Sequence, residues 1–381
     1  PRGIGAAAGP LLTLCAWGIG LYGARSLLCS AEDAPSSSRR RAMLAGGVWT
    51  VCAVVGVATA GWALLGRASL TWLGPAPRRT SAITPTEEFY QVSKNVLDPV
   101  VDRGSWRLRL DGEVERELEW TLEELRALPV TEQIATMECI SNPVGGNLIS
   151  TGVWKGVRLA DLLQQAGVRE GAYDVVCRCA DGYTESLEVA HALSPEVLLV
   201  YELNGAPLDP KHGQPLRLQV PGRYGIKSAK WLESLRVVRE DYLGYWQTES
   251  NWTDTALVHT ECRIDSVPGG RVSREGTTLT GVAYTGMKGV SRVEVSTDGG
   301  QTWADAVLEP ELSPLAWRLW RYPWRPPAPG TYSVDARAYD GQGLPQAVSQ
   351  NVPRARGVPM EGTLVTGEVG IHRLALTVSD V

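Results

Sequence analysis

The chain has 381 residues, 44% of them hydrophobic and 21% charged, enough for two or three domains with something more apolar attached. Charge is uneven: residues 1–80 hold eight arginines against two acidic residues, and the remainder holds 29 basic against 40 acidic residues. That acidic remainder argues against a nucleic-acid binder, which needs a basic face to neutralise phosphates.

Residues 4–24 form an uncharged apolar stretch, and residues 44–66 form a second. Each is long enough to cross a bilayer core of about 30 Å, so two transmembrane helices are predicted there. The linker between them carries Arg25 and Arg39–Arg41, which places it in the cytoplasm and sends the chain after Gly66 outward. Arg39-Arg40-Arg41 before the second apolar run resembles a twin-arginine export signal; three arginines anchoring a helix end is the alternative. Ala58-Thr59-Ala60 has the form of a cleavage site but sits inside the apolar run, so an uncleaved anchor is expected. The first residue is Pro1, so two spans is a minimum.

Residues 67–84 read as a linker. Trp106–Leu110 alternates as a strand closed by Asp111-Gly112. Thr121-Leu-Glu-Glu124 is a capping box, and Pro129 halts the short helix that it starts. Leu159–Ala166 is a second helix, stopped by Gly167. Asp174–Ala180, Leu216–Val220 and Leu232–Val238 are strands. Cys177 and Cys179 share a face of the first, as buried small hydrophobes. Short strands and helices in irregular order predict an α+β domain over residues 81–254. No nucleotide-binding glycine motif is present.

From about residue 255 the texture becomes all-β. Thr278–Tyr284, Ser291–Ser296 and Thr331–Tyr339 are short strands, Asp298-Gly299-Gly300 is a turn, and "IHRLALTVSDV" alternates as a closing strand. An immunoglobulin-like β-sandwich over residues 255–381 is predicted, with Trp303, Trp317, Trp320 and Trp324 in its core or interface. Residues 1–80 form the membrane region and linker.

Seven cysteines, at 15, 29, 52, 139, 177, 179 and 262, are irregularly spaced, with no CxxC pair and no CxxCH. That argues against a zinc site, a disulfide scaffold or an attached c-type haem. Cys139, in "MECISNPVGG", is the one to explain. The residues alone leave it open between packing, a disulfide, a nucleophile and a metal ligand. "HGQPLRLQVPGRYGIKSAKW" gathers His212, Arg217, Arg223, Lys227, Ser228 and Lys230 around a strand and a Gly-rich turn. This is either a solvated basic surface or a set of donors aimed at one anion.

The stretches "EEFYQVSKN", "MECISNPVGG", "STGVWKGVRLADLL", "YELNGAPLDPKHGQPLRLQVPGRYGIKSAKWL" and "GYWQTESNW" resemble, in order, the sulfite oxidase family of molybdopterin-dependent oxidoreductases, in its bacterial membrane-anchored branch. "VEVSTDGGQTW" and "GTYSVDARAYD" resemble that family's C-terminal domain. The resemblance implies a molybdenum–molybdopterin cofactor with Cys139 as the thiolate on the metal. It implies pterin-binding positions at Phe89, Tyr90, Asn95, His212, Arg217, Lys227, Ser228 and Lys230, with Lys94 standing where the animal enzymes have arginine. Gly145 and Gly146 would let the backbone approach a bulky cofactor. Animal and plant sulfite oxidases follow the cysteine with Asn-Arg-Arg, one arginine binding sulfite; here Ile-Ser-Asn-Pro-Val follows. The active-site tyrosine is also absent, and Trp252 is the nearest aromatic.

The expectation is thus a membrane-anchored, extracytoplasmic bacterial oxidoreductase moving an oxygen atom and two electrons. Sulfoxide reduction is the reverse direction, and a cofactor-free tethered binding module is the alternative of another class. Electrons would pass to a separate redox protein or a membrane haem or quinone partner, and the sandwich could mediate a homodimer.

Overall fold

The computed structural model describes residues 80–265, 267–348 and 367–379. Both predicted membrane spans, the arginine cluster before the second, and Ala58-Thr59-Ala60 lie outside these residues. Among the described residues no helix is long and apolar enough to cross a membrane.

The first half contains β1 (Leu108–Gly112), β2 (Leu118–Trp120), α1 (Leu122–Ala127), β3 (Thr131–Glu138), β4 (Ile149–Arg158), α2 (Leu159–Ala166), β5 (Asp174–Cys179), β6 (Thr184–Glu188), α3 (Val189–Ala192), β7 (Leu198–Leu203), β8 (Ala206–Pro207), β9 (Arg217–Gln219), β10 (Leu232–Val238) and α4 (Tyr245–Ser250). They form two sheets. One runs β2-β1-β10-β5-β6, with β1 and β10 parallel; the other runs β3-β4-β7-β8, with β9 on β7. The α+β expectation holds with a small helical share, since the described α-helices span only four to eight residues.

Local chemistry explains the boundaries. Thr121 and Glu124 close the capping box in both directions, at 3.0 and 2.7 Å. On α2, Leu159, Leu162, Leu163 and Ala166 are buried at helical spacing, while Asp161, Gln164 and Gln165 are exposed. Gly167 ends the helix at φ +72°, its N–H donating to Leu163 and Gln164 carbonyls. These leucines join Leu108, Leu110, Leu125, Leu216 and Leu235 in one core. Each contributes about 1.5–3 kcal/mol by burial. Cys177 and Cys179 face this core as unpaired thiols; burial pushes the Cys177 thiol up to about 12 and leaves it inert.

The second half is a two-sheet sandwich: β11 (Glu261–Ile264), β12 (Arg271–Ser273), β13 (Thr277–Tyr284), β14 (Val290–Ser296), β15 (Ala304–Asp305), β16 (Val307–Leu308), β17 (Arg318–Trp324), β18 (Gly330–Asp340) and β19 (His372–Ser379). The sheets run β11-β13-β17-β16 and β12-β19-β18-β14-β15. Trp320 and Trp324 sit in its core with Val293, Val295, Ala336 and Ala338, and Trp317 is buried against the first half. Trp303 is half-buried under Arg337.

The sandwich braces the back of β3. Tyr284 Oη donates to the Thr136 carbonyl at 3.2 Å, and Trp317 N–H donates to Thr136 Oγ1 at 2.7 Å. Buried Arg263 donates to the Gly146 carbonyl at 2.9 Å and to Thr80 Oγ1 at 2.7 Å. The strand that leads into Cys139, and the loop after it, are therefore held by the sandwich.

Candidate functional site

β3 pairs with β4 residue for residue up to Glu138 and Ile149. Cys139 is the next residue, its N–H donating to the Leu148 carbonyl at 2.9 Å. The loop from 139 to 148 is closed by Asn142. Its N–H donates to the Cys139 carbonyl, and its Oδ1 accepts from Leu148 N–H, each at 2.9 Å. A short polar side chain satisfying backbone groups across a turn is what asparagine supplies. Cys139 is left 4% exposed, with Sγ 3.4 Å from Ser141 Oγ.

The thiol lines a cleft of about 750 Å³. Tyr90, Lys94, His212, Arg217, Ser228, Lys230 and Trp252 line it as well, so eight of the sequence-derived site residues converge there. Phe89 stands behind the wall, its ring against Trp154 at 5.3 Å and His212 at 5.6 Å. Asn95 stands beside it, accepting from Lys94 Nζ at 2.9 Å.

Lys227 does not line the cleft. Its ammonium turns away, 2.8 Å from Glu185 Oε1, 2.8 Å from Asp254 Oδ1 and 3.0 Å from the Ser186 carbonyl. Burial alone would lower its pKa, but Glu185 and then Asp254 outweigh it and hold the ammonium charged. The glycines after Cys139 also serve the protein's own packing. At Gly145, φ is +74° and a Cβ would come within 2.2 Å of the His372 ring; at Gly146 it would meet Asn142 and Pro143.

Arg217 is the electrostatic centre of the wall. It is 3% exposed and donates to the carbonyls of His212 and Ser228 at 3.2 and 3.0 Å and to Met137 Sδ at 3.4 Å, above the Trp154 ring. No carboxylate among the described residues pairs with it, and burial pulls its pKa down to about 10. A buried guanidinium without a counter-charge is costly unless an anion arrives. Lys230 lies nearby, its Nζ on Ser93 Oγ at 2.7 Å and on the Lys211 carbonyl at 3.0 Å. Burial and then the Arg217 charge pull it down to about 8. Burial lowers His212 as well, and burial followed by the Cys139 charge keeps the Tyr90 hydroxyl protonated.

Several features were not legible in the sequence. Trp246 stacks on Trp252 at 4.7 Å and completes an aromatic side of the cleft. Tyr183 lines the cleft, its hydroxyl within hydrogen-bond distance of Glu185 Oε2 at 3.1 Å and of the Ile226 carbonyl at 2.9 Å. Behind Cys139, the buried carboxyls of Glu138 and Glu261 share Asn142 Nδ2 at 3.3 Å each. Burial, then the Glu261 charge, raises Glu138 well above the carboxylate range. Partners 119 and 123 residues away leave no local pattern to read.

The donor set suits a molybdenum–pterin group. One soft thiolate is available to the metal, and no group of three His, Cys, Asp or Glu side chains converges among the described residues. A metal here would thus take its remaining donors from a non-protein ligand such as a dithiolene. The cationic wall offers the charge that a pterin phosphate needs.

Comparisons with known proteins agree. The family profile described as oxidoreductase molybdopterin binding domain matches residues 95–246, and the Mo-co oxidoreductase dimerisation domain matches residues 258–343. Sulfite oxidase of Arabidopsis thaliana is 30% identical over 281 residues, covering 60% of this chain and 70% of its own length. Sulfite oxidase of Gallus gallus is 34% identical over 288 residues, covering 62% of each chain. The sulfane dehydrogenase SoxCD from Paracoccus pantotrophus shares the fold, with a TM-score of 0.68 at 24% identity over 78% of this chain and 82% of that one.

Proposed function

The chain belongs to the sulfite oxidase family of molybdopterin-dependent oxidoreductases, and from that premise we propose that it performs two-electron oxygen-atom transfer at a molybdenum held by Cys139. The observation that carries this reading is the meeting, in one cleft, of a single buried thiol and a buried guanidinium without a carboxylate partner. When bound, molybdopterin supplies the two-electron, oxygen-exchanging redox centre.

The chain's own residues hold and isolate that centre. Arg217 and Lys230 supply fixed positive charge for the phosphate, and Ser228, Lys94 and neutral His212 supply further donors. The protonated Tyr90 hydroxyl faces the same space. Burial and then the Arg217 charge depress Lys230, and an anion on the wall would offset the second of these and raise its pKa. Trp246 and Trp252 give the cleft an apolar, water-excluding side.

The substrate side of the cleft bears on the choice of substrate. The residues after Cys139 offer no arginine to a sulfite anion, and Arg217 is the one arginine in the cleft lining. The stacked indoles favour reduction of a neutral sulfoxide as the second reading. Residues 4–24 and 44–66 would anchor the enzyme in a bacterial membrane with its catalytic part outside. The sandwich would join two copies, and a separate redox protein or membrane haem or quinone would exchange electrons.

The test is to purify the protein from a molybdenum-replete host and measure molybdenum and pterin per chain. Near-stoichiometric content is expected, and a metal-free, pterin-free protein would sink the proposal. Parallel assays with sulfite and with a sulfoxide decide the direction.

A further inference from the structure

A second cleft, of about 1100 Å³, lies where the first half meets the sandwich. One wall is a short ladder: Arg223 bridges Leu257, and Val258 N–H donates to the Gly222 carbonyl at 3.1 Å. The turn after β13 and the turn after β18 face it. His191 of α3 closes one side.

This cleft gathers basic side chains on a chain portion whose net charge is negative. Arg223, His191, His259 and Lys288 all line it. Arg223 donates to the Thr255 carbonyl and meets no carboxylate within ion-pair distance among the described residues; Glu188 and Asp254 act on it only from further off. Nε2 of His191 is shielded from solvent and has no hydrogen-bond partner among the described residues. Asp340 is the one acid in the lining. It is buried, its Oδ1 accepts Gln342 and Leu344 N–H at 3.0 Å, and Lys288 sits 3.7 Å from Oδ2. Asp340 thus answers Lys288, and Arg223 is left without a carboxylate at ion-pair distance among the described residues. Burial, then the Arg223 charge, lowers the His191 pKa, so its imidazole adds hydrogen-bonding capacity to the cleft and not a charge.

The same cleft exposes apolar side chains. Leu257, Met287 and Leu344 are 57%, 44% and 58% exposed. Scattered exposed hydrophobes are ordinary, but three of them in one concavity with Arg223 and Lys288 are not.

We propose that this cleft binds an organic anion, with its carboxylate-type head on Arg223, His191 and Lys288 and its apolar body on Leu257 and Met287. The site is separate from the Cys139 cleft, and its reading does not depend on a bound metal.

The experiment is calorimetric titration of the purified full chain with octanoate, octanol and inorganic phosphate. Octanoate should bind once per chain at this cleft, more tightly than octanol, which lacks the charge, or phosphate, which lacks the chain. Arg223→Gln and, separately, the exposed Lys288→Gln should weaken octanoate by about tenfold or more, the effect of losing a charge-assisted hydrogen bond. Circular dichroism checks that both variants fold. Octanoate binding that both variants leave unchanged would mean occupancy of the Cys139 cleft and would overturn the proposal. So would equal binding of phosphate and octanoate, or of octanol and octanoate.

Discussion

In Lys227→Met the ammonium that bridges Glu185 and Asp254 is gone, and the Glu185 carboxylate, 1% exposed, keeps only neutral donors. Stranding one member of a buried pair costs about 3–5 kcal/mol. Glu185 retains the Tyr183 hydroxyl, the Gln247 amide and the Ser186 N–H, so the lower end, about 3 kcal/mol, is expected at neutral pH. Asp254 is one-third exposed and adds at most about 1 kcal/mol. The deficit should depend on pH. Burial already raises Glu185 with Lys227 present, and without the lysine it rises further. A carboxyl whose folded pKa lies above its unfolded value opposes folding increasingly as pH climbs between the two, by about 1.4 kcal/mol per unit. The loss relative to wild type should therefore shrink as pH falls from 7.5 to 5.5. Urea unfolding of the cofactor-free protein at both values measures it, and adding Glu185→Gln should recover part of the loss. Were Lys227 instead a phosphate ligand, the cofactor-free variant would unfold with the wild-type midpoint and only pterin retention would fall. That result would refute the reasoning.

Cys139→Ser should fold and stay soluble but lose turnover; activity and molybdenum assays on the same preparation check it. Arg217→Met removes a buried charge that has no carboxylate partner, so pterin content should collapse while unfolding of the cofactor-free protein shifts by less than about 1.5 kcal/mol. Lys230, at about 8 without an anion, loses its charge as pH rises through that value, so pterin retention after incubation should be weaker at pH 9 than at pH 7. Gly145→Ala would force a Cβ into His372 at φ +74°. It should cost at least about 1–2 kcal/mol of stability, read by thermal unfolding.

Elements set by short-range rules were legible. The α2 boundaries, the Thr121 capping box and β10 over Leu232–Val238 agree with the sequence reading, because periodicity and cap chemistry act within one element. β1 starts at Leu108 instead of Trp106, whose indole N–H donates to the Leu232 carbonyl at 3.0 Å while its backbone N–H turns to Asp102. The site was legible as a set of residue types and not as directions. Lys227 sits in the same basic run as Lys230, yet its partner Glu185 is 42 residues away in sequence, and that distant carboxylate decides where the ammonium points. Gly145 and Gly146 read as room for a cofactor because their neighbour His372 is more than two hundred residues distant.

The tie between Gly145 and His372 has a consequence for the order of events in the cell. His372 Nδ1 accepts the Ile264 N–H at 2.9 Å, and Glu368 accepts the Val144 N–H at 3.2 Å. The loop that follows Cys139 is therefore seated on residues translated long after it. While the ribosome is still making the sandwich, that loop has its Asn142 turn but lacks the Glu368 and His372 supports. Full seating of the loop is complete only once residue 372 has emerged and β19 has docked. A C-terminal truncation removing β19 should therefore loosen this loop even with every cleft residue intact.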